Sequence, residues 1–596
     1  MESQRGPDWV RRVLDAGGAV LVIGLSILSL WQNRRWIDTD TVAYADLSDA
    51  LLRGDWVHSF NGYFSPAWAW LIAAGRLVFG VSAAREAPIV RALQSAIIVL
   101  TTLQVRRLLR ELRCWSSEAP RNLLLDANTV AGTVVFWGAA VFAIARLSSG
   151  HSNPDALLTC LTVGASAELL VMRRTLSPRR AVALGAWLAA TYWTKGVALP
   201  IGLGFLLATA LCASRERRAR LVAAVAVTTA VLAAPLAIML SVKAGRIDVG
   251  DTGRLTMAWF AAGASAPTPD PTAAGTASLV HLWRRVVNDP PVFAYPVGVE
   301  GTYPPWTDPV YWQEGLAARP TVRQLMLNVQ STTAQFWNFY FGALLMGVVL
   351  AAACVGGFRV SSPDVSVALA LPAMAAVASY LAILFEPRYF APIFLLAVAS
   401  VMTLSVGNGR RWPWLVLATA AAIGWSLPTW REMAVAIPCA LAVDWSLRTA
   451  PAARRCAVAV LVTLIASTTP EVLRALVDGG VMVAKEPAEA PATVAAALAR
   501  VGVVEGTRIA TVGVIGPGFY WTAWARRARL RIVAEIPRGF ETTFWSGPTS
   551  GAEVALDAMR AAGAQLVVAR VPRDTTDLGP AWRRVEGTDL AIRALR

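Results

Sequence analysis

The sequence predicts an α-helical polytopic membrane protein with about thirteen transmembrane helices and a small α/β domain at its C-terminal end. Of its 596 residues, 56% are hydrophobic and only 16% are charged, whereas about a quarter of the residues of a soluble protein are charged. The mean hydropathy is +0.50. The formal charge of +16 does not indicate nucleic-acid binding, because the arginines are scattered between apolar runs instead of gathering on one soluble face.

Apolar runs near the ~20 residues that cross a bilayer recur along the chain. The predicted spans are 14–33, 86–105, 127–146, 154–172, 181–195, 196–213, 220–241, 334–356, 365–385, 389–406, 412–428, 432–447 and 455–470. The break at Lys195-Gly196 either separates two spans or kinks one helix. No small-residue cleavage site follows the first span, so we expect a retained helix and not a signal peptide.

Lys and Arg in the short loops predict the orientation. With a cytoplasmic N-terminus, the inner loops hold Arg11, Arg12, Arg106, Arg107, Arg110, Arg113, Arg173, Arg174, Arg179, Arg180, Arg215, Arg217, Arg218, Arg220, Arg410, Arg411, Arg454 and Arg455. An odd number of crossings in the plasma membrane then places the C-terminal segment outside, together with loops 34–85 and 242–333. The six cysteines lie in spans or at their cytoplasmic ends without a CxxC pair, so no external disulfide is expected.

The first outer loop, 34–85, is predicted to hold two interfacial helices. In DLSDALLRGDW, Leu47, Ala50 and Leu51 follow helical spacing beneath a polar face. The following NGYFSPAWAWL carries aromatic residues typical of headgroup depth and favours a re-entrant or interfacial helix.

The second outer loop, 242–333, is rich in proline and glycine, which argues against regular structure. Its interleaved tyrosines and tryptophans argue against disorder, so we expect an ordered lid over a site.

The last region, 471–596, is predicted to be an extracytoplasmic α/β domain that follows a transmembrane domain at 1–470. RIATVGVIG, LRIVAEI and AQLVVARV have the character of short buried strands, alternating with helical stretches near 490–501 and 552–562. GVIGPG has the wrong glycine spacing for a dinucleotide site, and we assign it no cofactor.

Charged residues converge on the predicted outer surface. Asp38 and Asp40 follow the first span beside Arg34 and Arg35, so a phosphate held by the arginines would lie next to a candidate base. Asp46 and Asp49 are expected to be a solvated helix end or cap. The other members of this outer set are His151, Asp155, Lys195, Glu386 and Arg388. Ionisable residues at membrane depth are costly, which makes them site candidates, although an interfacial anchor or an internal ion pair stays open for each.

At this point the chain resembles the GT-C membrane glycosyltransferases, among them protein O-mannosyltransferases and lipid A aminoarabinose transferases. The resemblance rests on an external Asp with a Tyr four residues on (Asp40 and Tyr44), NGYFSPAWAWL, an outer NPDALL, a TKG and an EPRYF, in this order within about 14–406. GDTGRL and GTYPPWTDP are similar to a bacterial subgroup and add Arg254, Tyr303 and Trp306 as candidates. The segment after GDTGRL, TMAWFAAGAS, departs from the tyrosine-rich pattern of that subgroup.

The resemblance implies transfer of a sugar from a polyprenyl-phosphate carrier to a glycan, lipid or protein acceptor at the outer leaflet, with inversion. Asp40 matches the family aspartate and is the expected general base. Asp38 is the second choice, or a ligand if a metal bridges the phosphate. Lys195, Arg388, Arg34 and Arg35 are the expected cations on the donor phosphate. The sugar and acceptor stay unidentified.

Three alternatives remain beside this interpretation. A divalent metal would need His58, His151 or His281 with Asp38, Asp40 or Asp155, but no spacing such as HxxxH supports it, so we expect no metal cofactor. A polysaccharide ligase or polymerase would also use lipid-linked sugars and a large outer loop. A transporter would be expected to show internal repeats and charges at the bilayer midplane, and neither is seen in the sequence.

Overall fold

A computed structural model describes residues 8–32, 34, 37–118, 126–148, 152–264, 281, 284–295, 300–316, 318–336, 358–360, 363–384, 386–406, 491–514, 522–546, 549–572, 575 and 578–595. The predicted spans 412–428, 432–447 and 455–470, and most of span 334–356, lie outside these residues.

The N-terminal half is a bundle of helices. They are α1 (Asp8–Gln32), α2 (Thr39–Leu52), α3 (Pro66–Phe79), α4 (Ala83–Glu118), α5 (Val130–Ser148), α6 (Asp155–Thr175), α7 (Pro178–Thr194), α8 (Ala198–Cys212) and α9 (Arg218–Ala244). Each of the first seven predicted spans coincides with one of them, and the break at Lys195 separates two helices. Among the described residues, three stretches are long and apolar enough to cross a membrane by length and composition: Ala83–Ser117, Asp155–Thr175 and Arg218–Ala244.

The charged groups of this bundle gather at two opposite ends. α6 runs from Asp155 to the Arg173-Arg174 end, and its neighbour α7 returns to Lys195. At the arginine end, carboxylates of the helices pair with the arginines of the predicted inner loops. These pairs are Arg113 with Asp15 at 2.6 Å, Arg174 with Glu111 at 3.1 Å, and Arg107 with Glu168. The candidate site residues therefore lie at the end away from these arginines.

The helix α2 was predicted, but its surroundings were predicted wrongly. It begins at Asp38, whose Oδ1 accepts a hydrogen bond of 2.9 Å from the Thr41 amide. Instead of lying at an interface with a polar face outward, α2 is buried along most of its length, including Asp46 and Ser48. The reason is tertiary, since α3, the second outer loop and the C-terminal segment all contact it.

The second outer loop has more regular structure than its proline and glycine content indicates. Its described elements are α10 (Thr252–Thr256), a π-helical turn (Met257–Ala261), β1 (Arg284–Asn288), β2 (Pro291–Ala294), α11 (Pro304–Thr307), α12 (Pro309–Trp312) and the start of α13 (Val322–Phe336). Prolines fall at the first helical positions of α11 and α12, where the missing N–H costs nothing.

The next described elements return to the bundle. They are β3 (Phe358–Val360), α14 (Pro363–Leu381), a 3-10 turn (Pro387–Phe390), α15 (Ala391–Val401) and β4 (Leu404–Val406). β3 and β4 pair antiparallel. α14 lies so close to α8 that a Cβ on Gly204 would be 2.7 Å from the Pro372 Cα. α15 packs on α5 and α6, and the 3-10 turn before it contacts α5.

The C-terminal segment forms a sheet covered by helices. Its elements are α16 (Pro491–Arg500), β5 (Arg508–Val512), α17 (Thr522–Arg527), β6 (Arg531–Ile536), α18 (Glu541–Ser546), α19 (Thr549–Ala561), β7 (Leu566–Arg570), β8 (Arg583–Arg584) and β9 (Leu590–Ala594). The three strands predicted from apolar runs are β5, β6 and β7, and they are parallel.

The sheet order is β1-β2-β6-β5-β7-β9-β8, so the hairpin of the second outer loop pairs with β6. The sequence treats that loop and the C-terminal segment as separate units, whereas the structure joins them in one sheet. Backbone hydrogen bonds make this pairing. Since they require no particular side-chain pattern, the sequence does not indicate which strands pair.

Candidate functional site

Four charged side chains contact one another in series at one end of the helix bundle. The Lys195 Nζ donates to Asp155 Oδ1 at 2.6 Å, and the Arg388 Nε lies 3.3 Å from Asp155 Oδ2. The Arg388 Nη2 lies 3.5 Å from Asp40 Oδ2. The Asp155 side chain is only 2% exposed, but that of Asp40 is 29% exposed. Asp40 is therefore the carboxylate of this group that a substrate can reach.

Each member stands at the end of an element, which is why residues far apart in sequence meet. Asp40 is in the first turn of α2, and Asp155 opens α6 after Pro154. Lys195 follows the last residue of α7, and Arg388 lies in the 3-10 turn before α15. Helix ends place polar groups where the apolar packing of the bundle stops, so a charged site there costs less than one within the spans.

Two buried polar atoms, one in Arg388 and one in Asp155, lack hydrogen bonds within the described residues. Although the Arg388 Nε and Asp155 Oδ2 are within ion-pair distance, neither buried atom makes a hydrogen bond to the part of the chain that the structure describes. A buried guanidinium N–H without a hydrogen bond is costly. An oxyanion placed beside it would remove that cost.

Tyrosines surround the cations. The Lys195 Nζ lies 3.8 Å from the centre of the Tyr389 ring, which stacks on Tyr380 at 4.8 Å. Burial, and then the Asp40 carboxylate, raise the pKa of both Tyr44 and Tyr63 well above the usual value. These two phenols therefore stay protonated. The sequence analysis did not propose Tyr63, Tyr380 or Tyr389 as site residues, although Tyr63 is part of NGYFSPAWAWL and Tyr389 is part of EPRYF.

Arg388 and Lys195 both contact the carboxylate of Asp155. Arg388 lies beside Asp40 and Asp155, and none of the described ion pairs joins it to Glu386. Lys195 forms an ion pair with Asp155. Glu386 accepts a hydrogen bond of 2.9 Å from the Tyr389 amide through its backbone carbonyl.

The other predicted phosphate and metal ligands make different contacts or fall outside the described residues. Arg34 donates to the Trp31 carbonyl at 2.9 Å and covers the Trp31 ring, so it contacts its own helix end. Arg35 and His151 fall outside the described residues. Asp38 caps α2 with its carboxylate, and the Thr41 hydroxyl also donates to it.

Within the described ranges, no group of three His, Cys, Asp or Glu side chains could hold a metal. His58 pairs with Asp55 at 2.8 Å, and the His281 Nε2 pairs with Glu314 at 2.7 Å.

The candidates of the second outer loop take part in its architecture. Arg254 contacts Asp251 at 2.8 Å and the Leu316 carbonyl at 3.0 Å. The Tyr303 hydroxyl donates to Glu535 Oε1 at 2.9 Å. Trp306 packs on Tyr63, with the two ring centres 5.7 Å apart. Tyr63 is one of the two tyrosines whose pKa the Asp40 carboxylate raises.

The expectation that Asp46 and Asp49 form a solvated helix end or cap is wrong. Asp46 is 5% exposed and accepts hydrogen bonds from Thr302, Thr307 and Arg526. Asp49 contacts Arg76 at 2.6 Å and Arg526 at 2.5 Å. The sequence DLSDALL does not indicate these partners, which come from other parts of the chain.

Comparison with solved structures identifies the fold. The crystal structure of ArnT from Cupriavidus metallidurans bound to undecaprenyl phosphate superimposes with a TM-score of 0.50, at 14% identity, over 99% of this chain and 98% of that chain. The chain has the GT-C fold.

The apo form of the Archaeoglobus fulgidus oligosaccharyltransferase is also similar, with a TM-score of 0.47 and 13% identity over 94% of this chain and 69% of that chain. No protein-family profile matches the sequence, and no curated protein is significantly similar to it. The ArnT structure confirms, at the level of the fold, the resemblance noted from the motifs.

Proposed function

We propose that the protein transfers a sugar from a polyprenyl-phosphate-linked donor to a hydroxyl acceptor on the extracytoplasmic face of the membrane. The observation that carries the proposal is the reachable carboxylate of Asp40 beside Arg388, which is joined through Asp155 to Lys195. A base and two cations are the groups that an inverting transfer from a phosphate requires. The ArnT structure, with its bound undecaprenyl phosphate, supports the choice of donor class.

The reaction needs one displacement. The acceptor oxygen attacks the anomeric carbon, its proton passes to Asp40, and the bond from the anomeric carbon to the phosphate oxygen breaks. The electron pair of that bond leaves with the polyprenyl phosphate. A single displacement inverts the anomeric centre. Arg388 and Lys195 stabilise the growing negative charge on the phosphate, and that interaction strengthens in the transition state.

This mechanism also gives Asp155 a role between the two cations. Asp155, buried between Arg388 and Lys195, holds both cations in place when no donor is bound. When the donor phosphate arrives, it shares these cations with Asp155. The raised pKa of Tyr44 keeps its phenol protonated beside Asp40.

The arginine register supports a cytoplasmic N-terminus, and it supports an extracytoplasmic site because the site lies at the bundle end away from Arg113 and Arg174. The division into a transmembrane domain at 1–470 and an extracytoplasmic domain at 471–596 belongs to the same proposal.

The first experiment is lipid and glycan profiling of a deletion strain. We expect one accumulated polyprenyl-phosphate sugar and one missing glycan, lipid or protein modification, which together identify donor and acceptor. With these, the purified protein in nanodiscs should release free polyprenyl phosphate without any ion gradient. Transport of an intact lipid-linked sugar, with no polyprenyl phosphate released, would refute the proposal in favour of a transporter. Joining of whole polysaccharide chains would favour a ligase or polymerase.

The second experiment tests the base. Asp40→Asn keeps the shape and removes the basicity, so we expect transfer to slow by about 100-fold or more. Asp55→Asn is the matched control, because Asp55 lies in the same outer loop and pairs only with His58 among the ion pairs of the described residues. If the purified Asp40→Asn protein transfers sugar at the normal rate, Asp40 is not the base.

The third experiment tests the cations. Arg388→Gln and Lys195→Met should each raise the donor concentration for half-maximal rate and lower the maximal rate, since contacts to a leaving group act in both states and most strongly in the transition state. Lys243→Met, at a lysine bound to Asp308 and to the Phe60 carbonyl, is the control. Wild-type curves for both site variants would show that other residues hold the phosphate.

A further inference from the structure

A buried cluster of charges joins the C-terminal segment to the helix that carries Asp40. Arg526, in α17, is 4% exposed and lies among α2 and α4. Its Nε and Nη2 donate to the two oxygens of Glu86 at 2.8 Å and 2.5 Å. Its Nη1 donates to Asp46 at 2.7 Å and to Asp49 at 2.5 Å. One guanidinium thus binds three carboxylates, two of them on α2.

The hydrogen-bonding capacity of this guanidinium is fully used. Its Nη2 also donates to the Ala45 carbonyl at 3.4 Å, so each of its three nitrogens has a partner. A planar fork of this kind sets direction as well as distance, which a lysine ammonium cannot do. Arg526 therefore holds α2 against rotation as well as against translation along its axis.

Burial and the neighbouring arginines act in opposite directions on the pKa values of Asp46 and Asp49. Burial alone would raise the pKa of Asp49, but Arg526 and Arg76 outweigh it and lower that pKa to about 2. Burial raises the pKa of Asp46, while Arg526 and the hydrogen bonds from Thr302 act against that rise. Both residues of α2 contact the same guanidinium, which is the group they share.

The second outer loop is bound at the same point. Asp46 accepts hydrogen bonds of 2.9 Å from the Thr302 amide, the Thr302 hydroxyl and the Thr307 hydroxyl. Asp46 lies on α2 six residues after Asp40, which is about 9 Å along a helix axis. Because α2 is one continuous helix, a displacement at Asp46 moves Asp40 as well.

We propose that Arg526 is a positioning residue for the reaction, through which the C-terminal segment sets the place of Asp40 opposite Arg388. This inference rests on the proposed function, since it assigns the C-terminal segment a part in the same site. General-base catalysis depends steeply on placement, and an error of 1 Å can cost about 100-fold in rate. A residue that only stabilised the fold would change the amount of folded protein and not the rate of each folded molecule.

A double-mutant cycle separates these two roles. Arg526→Met, Asp40→Asn and the combination are compared in nanodiscs by single-turnover transfer, with the donor and acceptor found above and rates normalised to folded protein. We expect Arg526→Met to lower the maximal rate by about 10- to 100-fold, with half-maximal donor concentration within about 2-fold of wild type, because Lys195 and Arg388 lie on other elements. Arg531→Met, at an exposed arginine that pairs with Glu300, is the matched control.

In the Asp40→Asn background, Arg526→Met should cause no further loss, since there is no base left to position. An equal loss in both backgrounds, or an unchanged rate per folded molecule in Arg526→Met, would overturn the inference and leave the proposed function standing. A normal rate for Asp40→Asn alone would refute the proposed base instead, so the two failures are distinguishable.

A milder variant covers the case in which Arg526→Met does not fold. Asp49→Asn keeps the side-chain shape and one hydrogen-bond acceptor but removes one charge that Arg526 and Arg76 hold. We expect the same pattern with a smaller effect, about 3- to 10-fold on the maximal rate. An additive loss with Asp40→Asn, or no loss at all, would again overturn the inference.

Discussion

The buried Glu535 leads us to expect that the stability of the protein falls as the pH rises. Glu535 lies on β6 with a side chain that is almost fully buried, and its Oε1 accepts the hydrogen bond of Tyr303. Burial raises the pKa of Glu535 to about 7, although the Tyr295 and Tyr303 hydroxyls offset part of the rise. Both tyrosines have a pKa well above the usual value and stay neutral at these pH values. None of the described ion pairs supplies a cation to Glu535.

The sign of the effect follows from proton binding. Between the ordinary pKa of 4.5 and the folded-state pKa of about 7, the folded protein keeps a proton that the unfolded chain has lost. Stability therefore falls as pH rises through this window, and the penalty is fully present above it. With about 1.4 kcal/mol for each unit of pKa difference, the ionised Glu535 costs about 3 kcal/mol at pH 8.

The test is Glu535→Gln, which keeps an acceptor for the Tyr303 hydroxyl and cannot ionise. We expect the thermal midpoint of the wild-type protein in nanodiscs to fall relative to that of the variant as the pH is raised from 5 to 8. At pH 8 the difference in unfolding free energy should be about 3 kcal/mol. Glu300→Gln is the control, because Glu300 is half exposed. Parallel midpoints for wild type and Glu535→Gln across this range would refute the reasoning.

Three further predictions concern topology, capping and packing. Reporter fusions after Arg113 should read cytoplasmic, and fusions near Pro269 and at Arg596 should read external; a cytoplasmic C-terminus would mean an even number of crossings. Asp38→Ala, which removes the cap of α2, should lower the unfolding free energy by about 1 kcal/mol, measured by thermal melting, and an unchanged midpoint would contradict the capping role. Gly204→Val should lower the midpoint, because even a Cβ there meets the α14 backbone at 2.7 Å, and a neutral result would show that α8 and α14 can separate.

Part of the site was within reach of the sequence. Asp40, Asp155, Lys195 and Arg388 were singled out because ionisable residues at span ends are costly and because their motifs occur in a family order, and the structure brings these four together. The sequence left open whether each was a ligand, an anchor or half of an internal pair. That choice depends on distances between helix ends, which no local pattern contains.

By itself, the sequence determined the elements: the apolar helices, the three buried strands β5 to β7, and the arginine-rich end of the bundle. Periodicity and composition are local patterns of neighbouring residues, so they can be recognised in a single sequence. Only the tertiary structure decided that α2 is buried, that the loop hairpin joins β6, and that Asp46 and Asp49 meet Arg526. The contacts with β6 and with Arg526 join residues that are hundreds of positions apart, and their partners come near only when the chain has folded.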